Sequence, residues 1–282
     1  MESSEGIFPL ASLSLTHVYY NPSDPLSHLS AYLALLPQAL IISYLTLAFS
    51  TREAEVLLMF LGQLTCEAIN FILKRLIKEE RPKHIITAHT NKGYGMPSSH
   101  AQYMAFWAVA LSLFLCVRHR PVHKGHPGPV NHRQQVNGKK VESGGESINL
   151  VDVPKVYKEK GIEGVSKHIE AYSHTPWSLP QRMLVSAGAF VVAGLVAWSR
   201  VYLGYHTVKQ VLAGAVAGVV SAVAWFAVTY LMREMGLLAW LLEFPVARWL
   251  RIRDLVVEED LCQAGWEKWE ESRAREMGKK KT

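Results

Sequence analysis

Three short stretches combine residue types that could do chemistry on an anion. They are Lys74 with the later pair Arg81-Pro82, the turn Pro97-Ser98-Ser99-His100, and Ser199-Arg200-Val201-Tyr202-Leu203-Gly204-Tyr205-His206. Together they hold three well-placed cations, two imidazoles and a run of small residues. A phosphoryl group in transfer needs cations and N–H donors around its equatorial oxygens, a nucleophile in line, and an acid for the leaving oxygen. Arg81 and Arg200 offer planar, bidentate donors, and Lys74 offers a compact charge. Each charge-assisted hydrogen bond is worth about 1.5–3 kcal/mol. The small-residue turn reads as the opening of a helix, whose first N–H groups would face an anion, with the Ser98 hydroxyl beside them. Two imidazoles can divide the remaining work, one attacking phosphorus to form a phosphohistidine and the other protonating the leaving oxygen. No carboxylate cluster suited to magnesium accompanies these stretches, so the expectation is chemistry without a metal site or cofactor.

The elements that must position these residues are membrane spans. A helix needs about 20 predominantly apolar residues to cross a bilayer, and five runs qualify: 31–49, 54–73, 101–117, 183–198 and 208–231. A sixth, 236–250, is interrupted by Glu243, Pro245 and Arg248 and reads as an interfacial helix. The predicted fold is therefore all-α, a polytopic membrane helical bundle of about five spans plus that helix. Charge sets its orientation. No Lys or Arg precedes Arg52, whereas residues 118–182 carry eleven and 233–281 carry ten. Positive loops stay cytoplasmic, which predicts a cytoplasmic C-terminus and brings all three chemical stretches to the opposite face. The six Lys and Arg of residues 74–92 break the charge rule there, as an anionic ligand would require. An arginine and a histidine beside a bilayer core are costly and point to function.

The organisation expected along the chain is a non-cytoplasmic segment 1–30, a membrane core 31–118, a flexible cytoplasmic insertion 119–181, a second core segment 182–232, and a tail 233–282 containing the interfacial helix. Residues 1–30 lack the basic start and continuous apolar stretch of a cleavable signal. The first span, which contains Pro37, serves as the insertion signal. Gln63, Glu67, Asn70 and Lys74 fall on one helix face. Glu67 reads as a carboxyl bonded to a neighbouring helix, or as support for the basic cluster. His119, His123, His126 and His132 match no metal-ligand spacing and read as a solvated loop. Cys66, Cys116 and Cys262 form no disulfide framework, and Cys66 and Cys116 read as small apolar residues in spans. Gly214-x-x-x-Gly218 reads as helix packing. Lys279 and Lys280 stand fourth and third from the end, like the dilysine retrieval signal of endoplasmic reticulum membrane proteins.

The three stretches, read as Lys74-x6-Arg81-Pro82, Pro97-Ser98-Ser99-His100 and Ser199-Arg200-x5-His206, resemble the tripartite signature of the type 2 phosphatidic acid phosphatase superfamily, in the family's order. The resemblance implies that superfamily's phosphatase core, His206 as nucleophile, His100 as general acid, and Lys74, Arg81, Ser98, Ser99 and Arg200 as phosphate binders. Two positions depart from the pattern. Ser99 replaces the usual glycine of the turn and keeps its backbone N–H. Gln210 stands where the family usually has Asp, so it can hold a tautomer of His206 through its carbonyl oxygen but brings no charge. Within the superfamily the likeness is greatest to phosphatases of polyprenyl diphosphates. It implies a lipid substrate whose chain stays among membrane lipids, a luminal site in the endoplasmic reticulum, and recycling of the glycan carrier used in protein glycosylation. No nucleic-acid partner is expected. The competing readings are a broader lipid phosphate phosphatase acting on phosphatidate or sphingoid phosphates, a non-catalytic lipid-binding membrane protein, and a channel or transporter.

Overall fold

A computed structural model describes residues 11–13, 18–82, 93–119, 154–159, 161–162, 164–165, 177–257, 265, 268–269 and 272. The chain divides into two compact units. One comprises Met1–His119 with Leu179–Val257 and holds every span; the other comprises Arg120–Ser178 with Glu258–Thr282 and includes a short helical stretch at 154–159. Most of the expected insertion, with His123, His126 and His132, lies outside the described residues, as do Cys262, Lys279 and Lys280.

The first unit opens with a two-stranded antiparallel sheet, β1 (Ala11–Leu13) and β2 (Val18–Tyr20), which hydropathy did not signal. Helix α1 (Pro25–Leu33) starts at Asp24, whose carboxylate accepts from the N–H groups of Leu26 and Ser27. Then come α2 (Leu36–Thr51), α3 (Ala54–Ile77), α4 (Ser99–Leu113) with a wider π turn over Phe114–Arg118, α5 (Leu179–Tyr202) and α6 (Val208–Glu234). Five of these stretches are long and apolar enough to cross a membrane: Pro25–Thr51, Ala54–Ile77, Ser99–Arg118, Leu179–Tyr202 and Val208–Glu234. The protein is a multi-pass helical membrane bundle.

Two expectations need correction. The first span is not one helix. Pro37 has no N–H to donate, and its ring would strike the carbonyl of Leu33 four residues back; α1 stops at that residue and α2 restarts at Leu36. The run 236–250 is likewise two short helices, α7 (Leu237–Leu242) and α8 (Pro245–Trp249), with Pro245 in the first turn of the second, where its missing N–H costs nothing.

Helix α4 is the centre of the bundle. On one side Phe106 and Ala110 pack with Cys66 of α3 and Ala222 of α6; on the other, Tyr103 and Met104 pack with Val196 of α5. Large apolar residues face outward instead, among them Leu184 at 74% exposure and Val220 at 62%. Polar groups turn inward and pair. Asn70 Nδ2 donates to Gln102 Oε1 at 2.7 Å, and Gln102 Nε2 donates to the Cys66 carbonyl at 3.0 Å. That inversion suits lipid, where an unpaired polar group is costly. Helix α6 meets α4 along its glycines. A Cβ on Gly214 would lie 2.5 Å from the Ser98 carbonyl oxygen, and one on Gly218 would lie 2.3 Å from that of Gln102.

Candidate active site

All three chemical stretches lie at one end of the bundle, where α3 and α5 finish and α4 and α6 begin. Lys74 sits in the last turn of α3. Lys78 ends that helix in the left-handed conformation, and the chain continues through Glu79 and Glu80 to Arg81. Residues 83–92 are outside the described set, and the chain resumes at Gly93. Ser98 is the N-cap of α4, fully buried, yet its hydroxyl caps no backbone N–H and has no hydrogen-bond partner among the described residues. Its own N–H donates to the Gln210 carbonyl at 3.1 Å, so this one donor of the turn is engaged by α6. Ser99 and His100 occupy the first turn of the helix and are half-buried.

Ser199 and Arg200 belong to the last turn of α5, beyond the limit hydropathy set for that span. Gly204 follows at φ +71°, a left-handed conformation that a Cβ disfavours. The reversal lets the N–H groups of Tyr205 and His206 both donate to the Arg200 carbonyl, at 3.1 and 3.2 Å. The helix end is thereby satisfied, and His206 is folded back beside Arg200. Arg200 is 4% exposed; its guanidinium lies over the Tyr205 ring at 4.3 Å, and its Nε and Nη1 have no partner among the described residues. A buried guanidinium with unused donors is costly unless an anion is meant to meet it.

His206 is 3% exposed. Burial first, then the charges of Arg200, Arg81 and Lys74, push its imidazole down to about 3, so it is neutral near pH 7. All three cations lie within electrostatic reach of the ring. Its tautomer follows from its partners. Gln210 Oε1 lies 3.2 Å from His206 Nδ1 and accepts from the Thr207 N–H at 3.3 Å, while Gln210 Nε2 faces two acceptors, Glu79 Oε1 at 3.1 Å and the Glu80 carbonyl at 2.8 Å. The amide can be oriented only one way, and its oxygen can only accept. The proton therefore sits on Nδ1, leaving Nε2 with a free lone pair. Thr207 and Gln210 also form a capping box that starts α6; the spacing Thr207-x-x-Gln210 carries that signal in the sequence.

His100 is fixed by similar logic. Its Nε2 lies 3.1 Å from the Ala34 carbonyl, which can only accept, so Nε2 carries a hydrogen and Nδ1 is the atom left for other work. Ala34 stands in the break ahead of Pro37. Arg200, His206 and Lys74 all lie within electrostatic reach of this ring. Glu67 lies half-buried on the Lys74 face of α3, and the two charges influence each other. The N-terminal segment packs at this end as well: Val18, Ala31 and Ala34 cluster with Leu203 and Tyr205, and the Tyr205 hydroxyl accepts from the Tyr19 N–H at 2.8 Å.

Residues 55–233, from the start of α3 to the end of α6, match the family model described as the PAP2 superfamily, and the chain belongs to that superfamily. Among its relatives, a Neurospora crassa protein provisionally named a dolichyldiphosphatase is 56% identical over 281 residues, 99% of each chain. The human protein named dolichyldiphosphatase 1 is 34% identical over 245 residues, 86% of this chain and 81% of its own. The Saccharomyces cerevisiae dolichyldiphosphatase is 26% identical over 243 residues, 85% of this chain and 79% of its own. No solved structure matches the chain.

Proposed function

We propose that this protein hydrolyses dolichyl diphosphate to dolichyl phosphate and inorganic phosphate, through a phosphohistidine on His206. The substrate comes from the relatives' names and from a site at the end of a lipid-embedded bundle. The mechanism comes from the site itself. The observation that carries it is the His206 ring, held by Nδ1 with Nε2 free, beside a buried arginine with unused donors. Lys74, Arg81, Arg200 and the Ser98-Ser99 turn hold the terminal phosphoryl oxygens. His206 Nε2 attacks phosphorus, and the bond to the bridging oxygen breaks. His100, protonated on Nδ1 for this step, gives that proton to the departing dolichyl phosphate. The same nitrogen then takes a proton from water, whose oxygen attacks the phosphohistidine; phosphate leaves and His206 returns to its starting form. Gln210 holds the nucleophile's tautomer, and Glu67 supports the basic cluster from within α3. The work of charge stabilisation falls to side-chain cations, and the reaction proceeds without a metal.

The charge distribution supports a site on the luminal face of the endoplasmic reticulum with the C-terminus in the cytoplasm. There the reaction would recycle the glycan carrier for protein N-glycosylation. The test is purified protein assayed against dolichyl diphosphate, phosphatidate and a sphingoid phosphate, with and without a chelator. We expect the diphosphate to be the best substrate, chelation to change little, and His206→Ala to remove both turnover and any acid-labile phosphoenzyme. Faster release from a monophosphate lipid would overturn the substrate. Turnover surviving in His206→Ala would overturn the mechanism.

A further inference from the structure

The position four residues beyond His206 holds an uncharged amide, yet a negative charge lies one side chain further away. Gln210 Nε2 donates to Glu79 Oε1 at 3.1 Å while Gln210 Oε1 meets His206 Nδ1 at 3.2 Å. Glu79 is itself held. Its Oε2 accepts from Lys209 Nζ at 3.0 Å, and its backbone carbonyl accepts from the Gly95 N–H at 2.7 Å. Lys209 and then Gln210 keep its carboxyl below the usual carboxylate range, so it is ionised near neutral pH. Gly95 presses on the other side of the amide: a Cβ there would lie 2.8 Å from Gln210 Nε2 and 2.9 Å from Oε1.

We infer that Glu79 is a positioning residue for the reaction, its carboxylate acting on His206 through the Gln210 amide; this rests on the reading of His206 as the nucleophile. The reason is electrostatic. As His206 Nε2 bonds to phosphorus, the ring takes on positive charge, shared with the proton on Nδ1. An amide oxygen alone meets that charge with a dipole. Drawing the amide N–H toward a carboxylate makes the amide oxygen more negative, because hydrogen bonds in a chain polarise one another. The chain His206–Gln210–Glu79 thus supplies anionic character to the nucleophile without placing a carboxylate against it. Lys209 is 73% exposed on its side chain, so solvent screens its opposing charge.

The test is a charge swap read by steady-state and single-turnover kinetics on dolichyl diphosphate. Glu79→Gln keeps the shape and removes the charge; it should lower kcat and the rate of phosphohistidine formation by roughly tenfold, with KM little changed. Gln210→Glu should also lose activity, because two carboxylates then face each other. The double variant Glu79→Gln/Gln210→Glu moves the negative charge onto the residue bonded to His206, with the amide now at position 79 able to donate to it. It should recover kcat to within about threefold of the unaltered protein, the reverse of additivity. A role in fold alone predicts the opposite, since the swap still deprives Lys209 of its partner. An unchanged kcat in Glu79→Gln, or a double variant no better than the single ones, overturns the inference. If Glu79→Gln proves too unstable to assay, the double variant decides by the same criterion. His206→Ala run in parallel separates the two readings: activity there would reject the nucleophile itself, whatever Glu79 does.

Discussion

The two ends of the bundle use the same residue types for opposite purposes. At the end away from the three motifs, Glu55 is 2% exposed and accepts from Arg118 Nη1 at 2.5 Å and Arg233 Nη2 at 2.6 Å. Asp254 completes the group by pairing with Arg233 through both carboxylate oxygens. Glu53, fully buried, accepts from Arg253 Nε and from the N–H groups of Leu255 and Val256. Each buried carboxylate there has its cations, and the tail after α8 is tied to the start of α3. At the motif end, Arg200 is 4% exposed, no carboxylate meets it among the described residues, and two of its nitrogens have no partner among them. A buried arginine matched by acid is a fastener. One that meets no acid among the described residues is suited to receive an anion, which can settle its charge.

The largest effect that could break this contrast is at Arg200. Arg200→Ala should lower kcat/KM by about 10²–10³-fold, the scale of losing one preorganised donor to transition-state charge. Its thermal stability in detergent should hold or rise, since an unmatched buried charge is removed. A loss of stability comparable to the loss of activity would make Arg200 a fastener too. Glu55→Ala is the mirror experiment. It strands Arg118, although Arg233 keeps Asp254, and should cost about 3–5 kcal/mol of stability; the protein that remains folded keeps its kcat.

Smaller effects sharpen the contrast within the site. Gly214→Ala drives a Cβ into the Ser98 backbone and should cost about 1–3 kcal/mol, with activity falling alongside it. Gly95→Ala meets two flexible side chains, the amide end of Gln210 and Arg81 Cγ at 3.0 Å, so it should lose several-fold in kcat with stability almost unchanged; equal losses of both would contradict the role given to that amide. A pH dependence follows from the same site. The folded His206 sits near 3, well under the unfolded value of about 6.5. The unfolded chain therefore takes up a proton that the folded one refuses. This contribution to stability is full above about pH 6.5 and is lost progressively as pH falls toward 3. Thermal scans between pH 7 and 4 should show the unaltered protein losing stability faster than His206→Gln.

Hydropathy made the five spans legible, because lipid imposes long apolar runs on any helix that crosses it. It placed their ends badly where polar residues continue a helix into the site: Arg200 closes α5, although its side chain reads as loop. The residues proposed to hold phosphate were legible as a constellation, and so was the ability of the Gln210 oxygen to hold His206. Three other features left no local signal. The Ala34 carbonyl that fixes His100 is a backbone atom. Glu79 meets Gln210 across 131 positions of sequence. Glu55, Arg118, Arg233 and Asp254 look like ordinary charges flanking separate spans until folding gathers them. His119, expected in a solvated loop, is half-buried; its Nδ1 lies 2.8 Å from the Val256 carbonyl, and its own carbonyl accepts from Arg182 at 2.8 Å.

The glycine contact between α4 and α6 sets a limit on motion. With backbone pressed against backbone at Gly214 and Gly218, and the Ser98 N–H engaged by Gln210, α4, which carries His100, and α6, which begins just after His206, cannot slide or splay without opening a bare seam. The spacing between His206 and His100 is thereby built in before any ligand arrives. On the proposed reading, turnover draws its freedom from the guest: the long isoprenoid, loose in fluid lipid, is the part that would swing its head group in and out, while the host keeps still.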